Sequence, residues 1–176
     1  MDIEVTGYVE IRNGDTVVKA TNHFVDALAK TIISLLGAKR LFEDDSLPTN
    51  SWSIYLGSDT STPTTHDMTS LVSPIGDPPG TGPSTKSGSL NNPSAGVWRV
   101  MYSATWVEGS ISGTVGEVAL YLTTTDRFSW SDMYWSCSAG ENMVSRLSAK
   151  DGDFSAFVID TSKPLVVEWT IEFKGV

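Results

Sequence analysis

Two long runs in which bulky side chains fall on every second position constrain this chain more than any other feature. In Val97 to Trp106, the residues Trp98, Val100, Tyr102 and Trp106 share one file with small Ala104, the period-two signature of a strand with one well-buried face. Thr114 to Leu122 resumes the alternation. There Gly116, Val118, Leu120 and Leu122 fall on one side and Val115, Glu117, Ala119 and Tyr121 on the other. Both sides are partly apolar, which places this strand inside a sheet. A Gly- and Ser-containing linker from Glu108 to Gly113 joins the runs, so together they are expected to form a central β-hairpin.

The rest of the chain is arranged around more strands. From Ile3 to Arg12, Ile3, Val5, Val9 and Ile11 alternate with polar partners, with Gly7 completing the inward file. Asn13-Gly14 then suits the positive φ angles of a tight turn, and Thr16 to Lys19 returns antiparallel. One helix is expected over about residues 22–37, with Asn22 as N-cap, Asp26 near the positive end of its dipole, Phe24, Leu28 and Ile32 on one face, and Gly37 at the C-cap. Glu43 to Pro48 is an acidic connection, and Trp52 to Leu56 a strand ending at Gly57. Further strands are expected at Met133 to Cys137, Met143 to Leu147 and Phe154 to Ile159. Leu165 to Phe173 closes the chain with a clean alternation that buries Leu165, Val167, Trp169, Ile171 and Phe173 and exposes Glu168, Thr170 and Glu172. Between Ser58 and Gly96 lie six of the eight prolines among many Ser, Thr and Gly. Proline offers no ladder donor, so about residues 58–96 are expected to form a long loop over the surface, with one helical turn at His66 to Leu71. These signals predict one mainly β domain over residues 1–176, an antiparallel β-sandwich or jelly-roll-like barrel with a single helix.

Composition narrows the function. A net charge of −9 over 176 residues opposes direct binding to a nucleic-acid backbone, which clustered Lys and Arg normally drive. No apolar stretch approaches the ~20 residues of a membrane-spanning helix, and mean hydropathy is −0.07. No membrane partner is expected. The start, Met1 to Arg12, lacks the basic flank and apolar block of a secretory signal. The single cysteine, Cys137, excludes an intrachain disulfide and a multi-cysteine zinc site.

Candidate chemistry is sparse. His66-Asp67 is a histidine–carboxylate pair, but it needs partners, and the only other histidine is His23 at the expected helix start; a surface loop is the expected role. Glu43-Asp44-Asp45 and Asp151-Gly152-Asp153 lack the spaced ligands and terminal Glu of a calcium loop. Gly109 to Gly113 has isoleucine where a nucleophile elbow needs its nucleophile. Gly80 and Gly82 lack the strand-before, helix-after setting of a phosphate cradle. Cys137 is expected to pack against its aromatic neighbours. No catalytic set, metal site or cofactor is expected. Of six tryptophans, Trp98, Trp106 and Trp169 are in phase with core positions, whereas Trp52, Trp130 and Trp135 are free for an interface or a sugar platform.

The order of features is similar to that of virion proteins of tailed viruses, the small capsid-decoration, tail and baseplate components. The resemblance runs through Asn22-His23-Phe24-Val25 after the first hairpin, Trp52 to Gly57, Met68 to Leu71, Tyr102 to Trp106, Gly113 to Leu122, Ser145-Arg146-Leu147 and Val167 to Phe173. It implies a non-enzymatic β fold that works by assembly and supplies no catalytic residues. The expectation is a capsid decoration (cement) protein bridging subunits of the outer shell, located in the virion and assembled in the host cytoplasm. Its partners would be itself, as a homo-oligomer such as a trimer, and the major capsid protein or other virion proteins. The candidate partner interface is Met1, Asp2, Pro74, Pro78, Pro79, Trp130, Tyr134 and Trp135. A tail or baseplate component and a carbohydrate-binding module are the alternatives.

Overall fold

A computed structural model describes residues 3–21, 23–24, 52–76, 80, 82–124 and 140–175. The alternating runs become strands. These are β1 (Ile3–Asn13), β2 (Thr16–Thr21), β3 (His23–Phe24), β4 (Trp52–Gly57), β5 (Thr85–Ser94), β6 (Val97–Trp106), β7 (Thr114–Val115), β8 (Glu117–Thr124), β9 (Gly140–Ser148), β10 (Phe157–Val158) and β11 (Leu165–Gly175). They form a five-stranded sheet ordered β2-β1-β11-β6-β5, a four-stranded sheet ordered β3-β9-β8-β4, and the pair β10-β7. Every pairing is antiparallel. The architecture is a mainly β sandwich, and among the described residues no sheet closes into a barrel.

Each sheet contributes its alternate residues to one core. From the larger sheet come Val9, Ile11, Tyr102, Ala104, Trp106, Leu165, Val167, Trp169 and Ile171; from the smaller, Trp52, Ile54, Leu56, Val118, Leu120, Val144 and Leu147. Trp52, Trp106 and Trp169 are wholly buried, so Trp52 belongs to the core and not to an interface. The indole N–H groups of Trp52 and Trp169 find no acceptor among the described residues, a penalty of roughly 1–3 kcal/mol each. Burying an indole of ~200 Å² contributes about 5 kcal/mol, so apolar burial wins. The ring of Tyr102 lies 5.1 Å from that of Trp52, and burial pushes its phenol pKa well up.

Several expectations are corrected. β6 and β8 form no hairpin; they lie in opposite sheets, because residues 107–113 cross the sandwich with Ile111 buried as anchor. Each strand's bulky file thereby meets the other's across the core. Trp98 keeps the inward phase of β6 but is 41% exposed. The first tight turn is Gly14-Asp15, closed by the pair Asn13↔Thr16, and Gly14 takes the positive φ of 59°. Asn13 is instead the last inward residue of β1. In β11, Thr170 is buried rather than exposed. Residues 85–94 of the expected loop form β5, an edge strand whose turn at Ala95-Gly96 leads into β6. Where the helix was expected to begin, His23–Phe24 is a strand on β9; its continuation lies outside the described residues, as do Glu43 to Asp45 and Met133 to Cys137. Of Phe154 to Ile159 only Phe157–Val158 pairs, with Phe154 and Ile159 buried on either side.

Candidate functional site

The two outer faces of the sandwich are treated differently by the chain. Over the four-stranded sheet, residues 58–73 form a closed strap. Its ends meet through Ser58 N–H donating to Ser73 O at 2.8 Å, the bridge Gly57↔Pro74, and Ile75 N–H donating to Leu56 O at 3.0 Å. This is an Ω-loop, a compact loop whose ends are adjacent. Leu71 and Met68 press on Ala119, Tyr121, Met143 and Tyr55. The Tyr121 hydroxyl accepts from Leu71 N–H at 2.9 Å.

A buried ion pair clamps the strap. Glu117 and Arg146 have fully buried side chains, with Arg146 Nη2 2.8 Å from Glu117 Oε2. Glu117 also accepts from the backbone N–H of Ser73 at 2.7 Å and of Val72 at 3.2 Å. The five N–H groups of a guanidinium are all engaged here: Arg146 donates to Glu117 through Nε at 3.0 Å and through Nη2, to Thr62 O at 3.1 Å, to Thr64 Oγ1 at 3.0 Å and to Asp59 Oδ2 at 3.5 Å. Two local features make room for this. Gly57 pairs with Glu117 across the ladder, and any Cβ there would overlap the Glu117 carboxylate. In β9 the ladder skips Val144, so Met143 and Arg146, an odd number apart, both reach the outer face; such a bulge resets the alternation.

Asp59 shapes the start of the strap by accepting from Ser61 Oγ at 2.8 Å and Thr62 N–H at 2.9 Å. Burial alone would raise its pKa, but the bonds from Ser61 and Thr62 outweigh it and hold the carboxyl below its ordinary value. Asp151 accepts from Thr64 N–H at 2.8 Å and Asp153 from Ser148 N–H at 2.9 Å. Both are thus committed to backbone amides in the native loop. His66 and Asp67 sit exposed in a turn of the strap, with Asp67 accepting from Thr65 Oγ1 at 2.6 Å; no helical turn extends to Leu71. Among the described residues no group of His, Cys, Asp and Glu could hold a metal ion.

Among the described residues, no segment crosses the outer face of the five-stranded sheet. Register sets its rows: Lys19, Glu10, Glu168, Ser103 and Ser87 form one, and Tyr8, Thr170, Met101 and Ser89 the next. On the β1 side the charges are paired, Glu10 with Arg12 at 2.6 Å and Lys19 at 3.2 Å, and Arg12 with Glu168 at 3.2 Å. Hydrogen bonds from Arg12 and then Lys19 hold the Glu10 carboxyl below its usual range. Arg99 and Glu172 pair at 2.7 Å, a bond that raises the arginine pKa further. On the β5–β6 side, a shallow depression of about 310 Å³ is lined by Ser87, Ser89, Met101, Ser103, Glu168 and Thr170. The arrangement offers neutral hydroxyls, one carboxylate and an exposed thioether on the sheet surface. Such a surface can hydrogen-bond and pack against another surface.

Of the residues expected at a partner interface, Pro74 is exposed where the strap closes; Met1, Asp2, Pro78, Pro79, Trp130, Tyr134 and Trp135 lie outside the described residues. The clamp went unnoticed in the sequence, although a signal was present: Glu117 and Arg146 are opposite charges embedded in otherwise apolar runs. Comparison of the chain with protein-family models, with curated proteins and with solved structures found no match.

Proposed function

We propose that this protein is a non-enzymatic structural component that works by assembly, a virion protein of the tailed-virus kind that its motif order resembles, and within that class a capsid decoration (cement) protein. The observation that carries the reading is the contrast between the faces. The smaller sheet's outer face is covered by the chain's own strap, whereas the larger sheet presents an internally charge-paired face that no described segment crosses. Five strands at ~4.8 Å spacing and ten residues at ~3.4 Å make that face about 24 Å by 34 Å, or roughly 800 Å². A standard protein–protein interface buries about that area on each partner. Because most charges on the face already have partners, docking desolvates few lone ions. The mechanism is mechanical: many copies, each burying such a face, tie neighbouring subunits together. Net charge of −9 keeps unassembled copies apart until a complementary surface is met.

The test is whether the protein is part of a particle. Mass spectrometry of virions purified from the culture that carries this gene, followed by cryo-electron microscopy, should find the chain in stoichiometric amount on the outer shell. Density at the tail would select the tail or baseplate alternative. Absence from purified particles would refute both. Met101→Glu with Ser89→Arg should abolish attachment without changing the melting temperature; unaltered attachment would remove the sheet face from the interface.

A further inference from the structure

Asn13-Gly14 is the only Asn-Gly pair in the sequence, and the fold uses its asparagine unusually. Asn13 is only 3% exposed. Its Nδ2 donates to three carbonyls, Asp160 O at 3.2 Å, Pro164 O at 3.3 Å and Lys163 O at 3.4 Å. Its Oδ1 accepts from Asp160 N–H at 2.6 Å. Three carbonyls on one side and an N–H on the other fix which end of the amide is which. The side chain ties the β1–β2 turn to the loop that delivers β11, and Gly14 packs close by: a Cβ on it would stand 3.2 Å from the Lys163 side chain.

We propose that Asn13 is a conformation-gated deamidation site whose modification is blocked in the folded protein and prevents refolding once it has occurred. In the reaction the Gly14 backbone nitrogen, losing its proton to base, attacks Asn13 Cγ. The new C–N bond closes a five-membered succinimide, the Cγ–Nδ2 bond breaks, and ammonia leaves. Solvent water then opens the ring to aspartate or isoaspartate, with no change of oxidation state. Glycine favours the attack because no side chain shields its nitrogen. In the fold the attack requires the Asn13 side chain to swing back along its own backbone, breaking all of its hydrogen bonds at once. After the reaction the fit is lost. An aspartate at 13 would aim a carboxylate at the carbonyls of Asp160, Lys163 and Pro164 with no N–H to offer them, and isoaspartate would lengthen the strand backbone beside a two-residue turn. Unfolding at this corner is thereby made irreversible in proportion to the time spent open.

The experiment uses the whole wild-type chain, incubated in mildly alkaline buffer with and without a denaturing concentration of urea. Peptide mapping by mass spectrometry follows aspartate and isoaspartate at position 13, with Asn91 of β5 and Asn142 of β9 as internal references. The expected result is conversion at Asn13 ahead of the references in urea, and a rate about a hundredfold or more lower in the native protein, because reaction must await an opening that is rarely populated. The refoldable fraction, read by urea-gradient analysis after dilution, should fall in step with conversion. Native and unfolded rates within about threefold of each other would overturn the gating, since local openings would then have to be as common as closed states. Converted chains that refold with the wild-type midpoint would overturn the irreversibility, and neither readout depends on a variant that must first fold.

Discussion

Glu117→Gln tests the clamp with the least change of shape. The carboxylate accepts through Oε2 on one side, from Arg146 and the Val72 amide, and through Oε1 on the other, from the Ser73 amide. A carboxamide can accept on only one of those sides. Whichever way it turns, its NH₂ faces donors, and Arg146, whose side chain is fully buried, keeps Asp59 at 3.5 Å as its remaining carboxylate. Breaking one partner of a buried ion pair typically costs ~3–5 kcal/mol. With a urea m-value of about 2 kcal/mol per molar, the midpoint should fall by roughly 1.5–2.5 M. The loss should centre on the strap, so limited proteolysis should begin cutting at Thr65 to Asp67, the exposed turn. Adding Arg146→Met removes the stranded charge and should recover part of the stability, giving a coupling energy of about 2 kcal/mol. A midpoint shift below about 0.5 M, with additive single and double variants and no new cleavage in the strap, would refute the clamp.

Gly116→Ala should destabilise by about 1–3 kcal/mol, because its Cβ would stand 2.5 Å from Asp59 O and 2.8 Å from Ser58 O; protease sensitivity of the strap should rise. Gly96→Ala, at a turn with open space and φ of 77°, should lower the melting temperature through backbone strain alone and leave the strap intact. Acid should loosen the structure in a defined window. The folded Asp59 and Asp160 carboxyls titrate below their ordinary value of 3.8, the latter through its bonds from Ser162. Between those lowered values and 3.8 the unfolded chain binds more protons, so this stabilisation is complete above the window and is lost as pH falls through it. Urea midpoints that stay level or rise across that acid range would contradict it. Deleting Pro74 to Pro93 removes most of β5, whose Lys86 bridges to the opposite sheet by donating to Trp52 O at 2.7 Å, so the melting temperature should drop sharply; an unchanged value would show that β5 is dispensable.

Strands with one wet face were legible in the sequence. β1 and β11 lie where alternation placed them, because burial on one side imposes period two regardless of what covers it. Partnership was not legible. Val97 to Leu122 reads as a hairpin since its strands are adjacent and separated by Gly and Ser, yet nothing in alternation says whether the next strand stays in the sheet or crosses over. β5 was hidden for a different reason: Thr85 to Ser94 contains Gly88, Pro93, three serines and two asparagines around Leu90, a composition that suits a loop. It holds a strand's place because β6 pairs with it from Thr105 to Val97 and Lys86 is drawn inward. The clamp was hidden for a third reason. Exposed-looking prolines drew the interface toward the loop, while the residues that organise that loop, Glu117, Arg146 and Tyr121, lie in strands that alternation marks only as buried or half-buried.

The edges of the five-stranded sheet bear on how copies would meet in the proposed assembly. At one edge of the five-stranded sheet, β5 carries an inward-turned lysine, a break in register between Asn91 and Ser94, and Pro93 within that break. At the other, β2 is six residues long and carries Lys19. Inward charges, bulges, prolines and short strands are the devices by which natural sheets resist edge-to-edge pairing. A chain that associates by extending its sheet would keep its edge free of them. If the protein assembles as proposed, these edges favour association through the outer face of the five-stranded sheet over strand addition to it, and copies would then abut through side chains rather than extend that sheet. That arrangement tolerates small changes in the angle between neighbours, since side-chain contacts can adjust where a hydrogen-bonded ladder cannot. If the protein decorates a curved shell, as proposed, such tolerance would let it bind where local geometry varies from site to site.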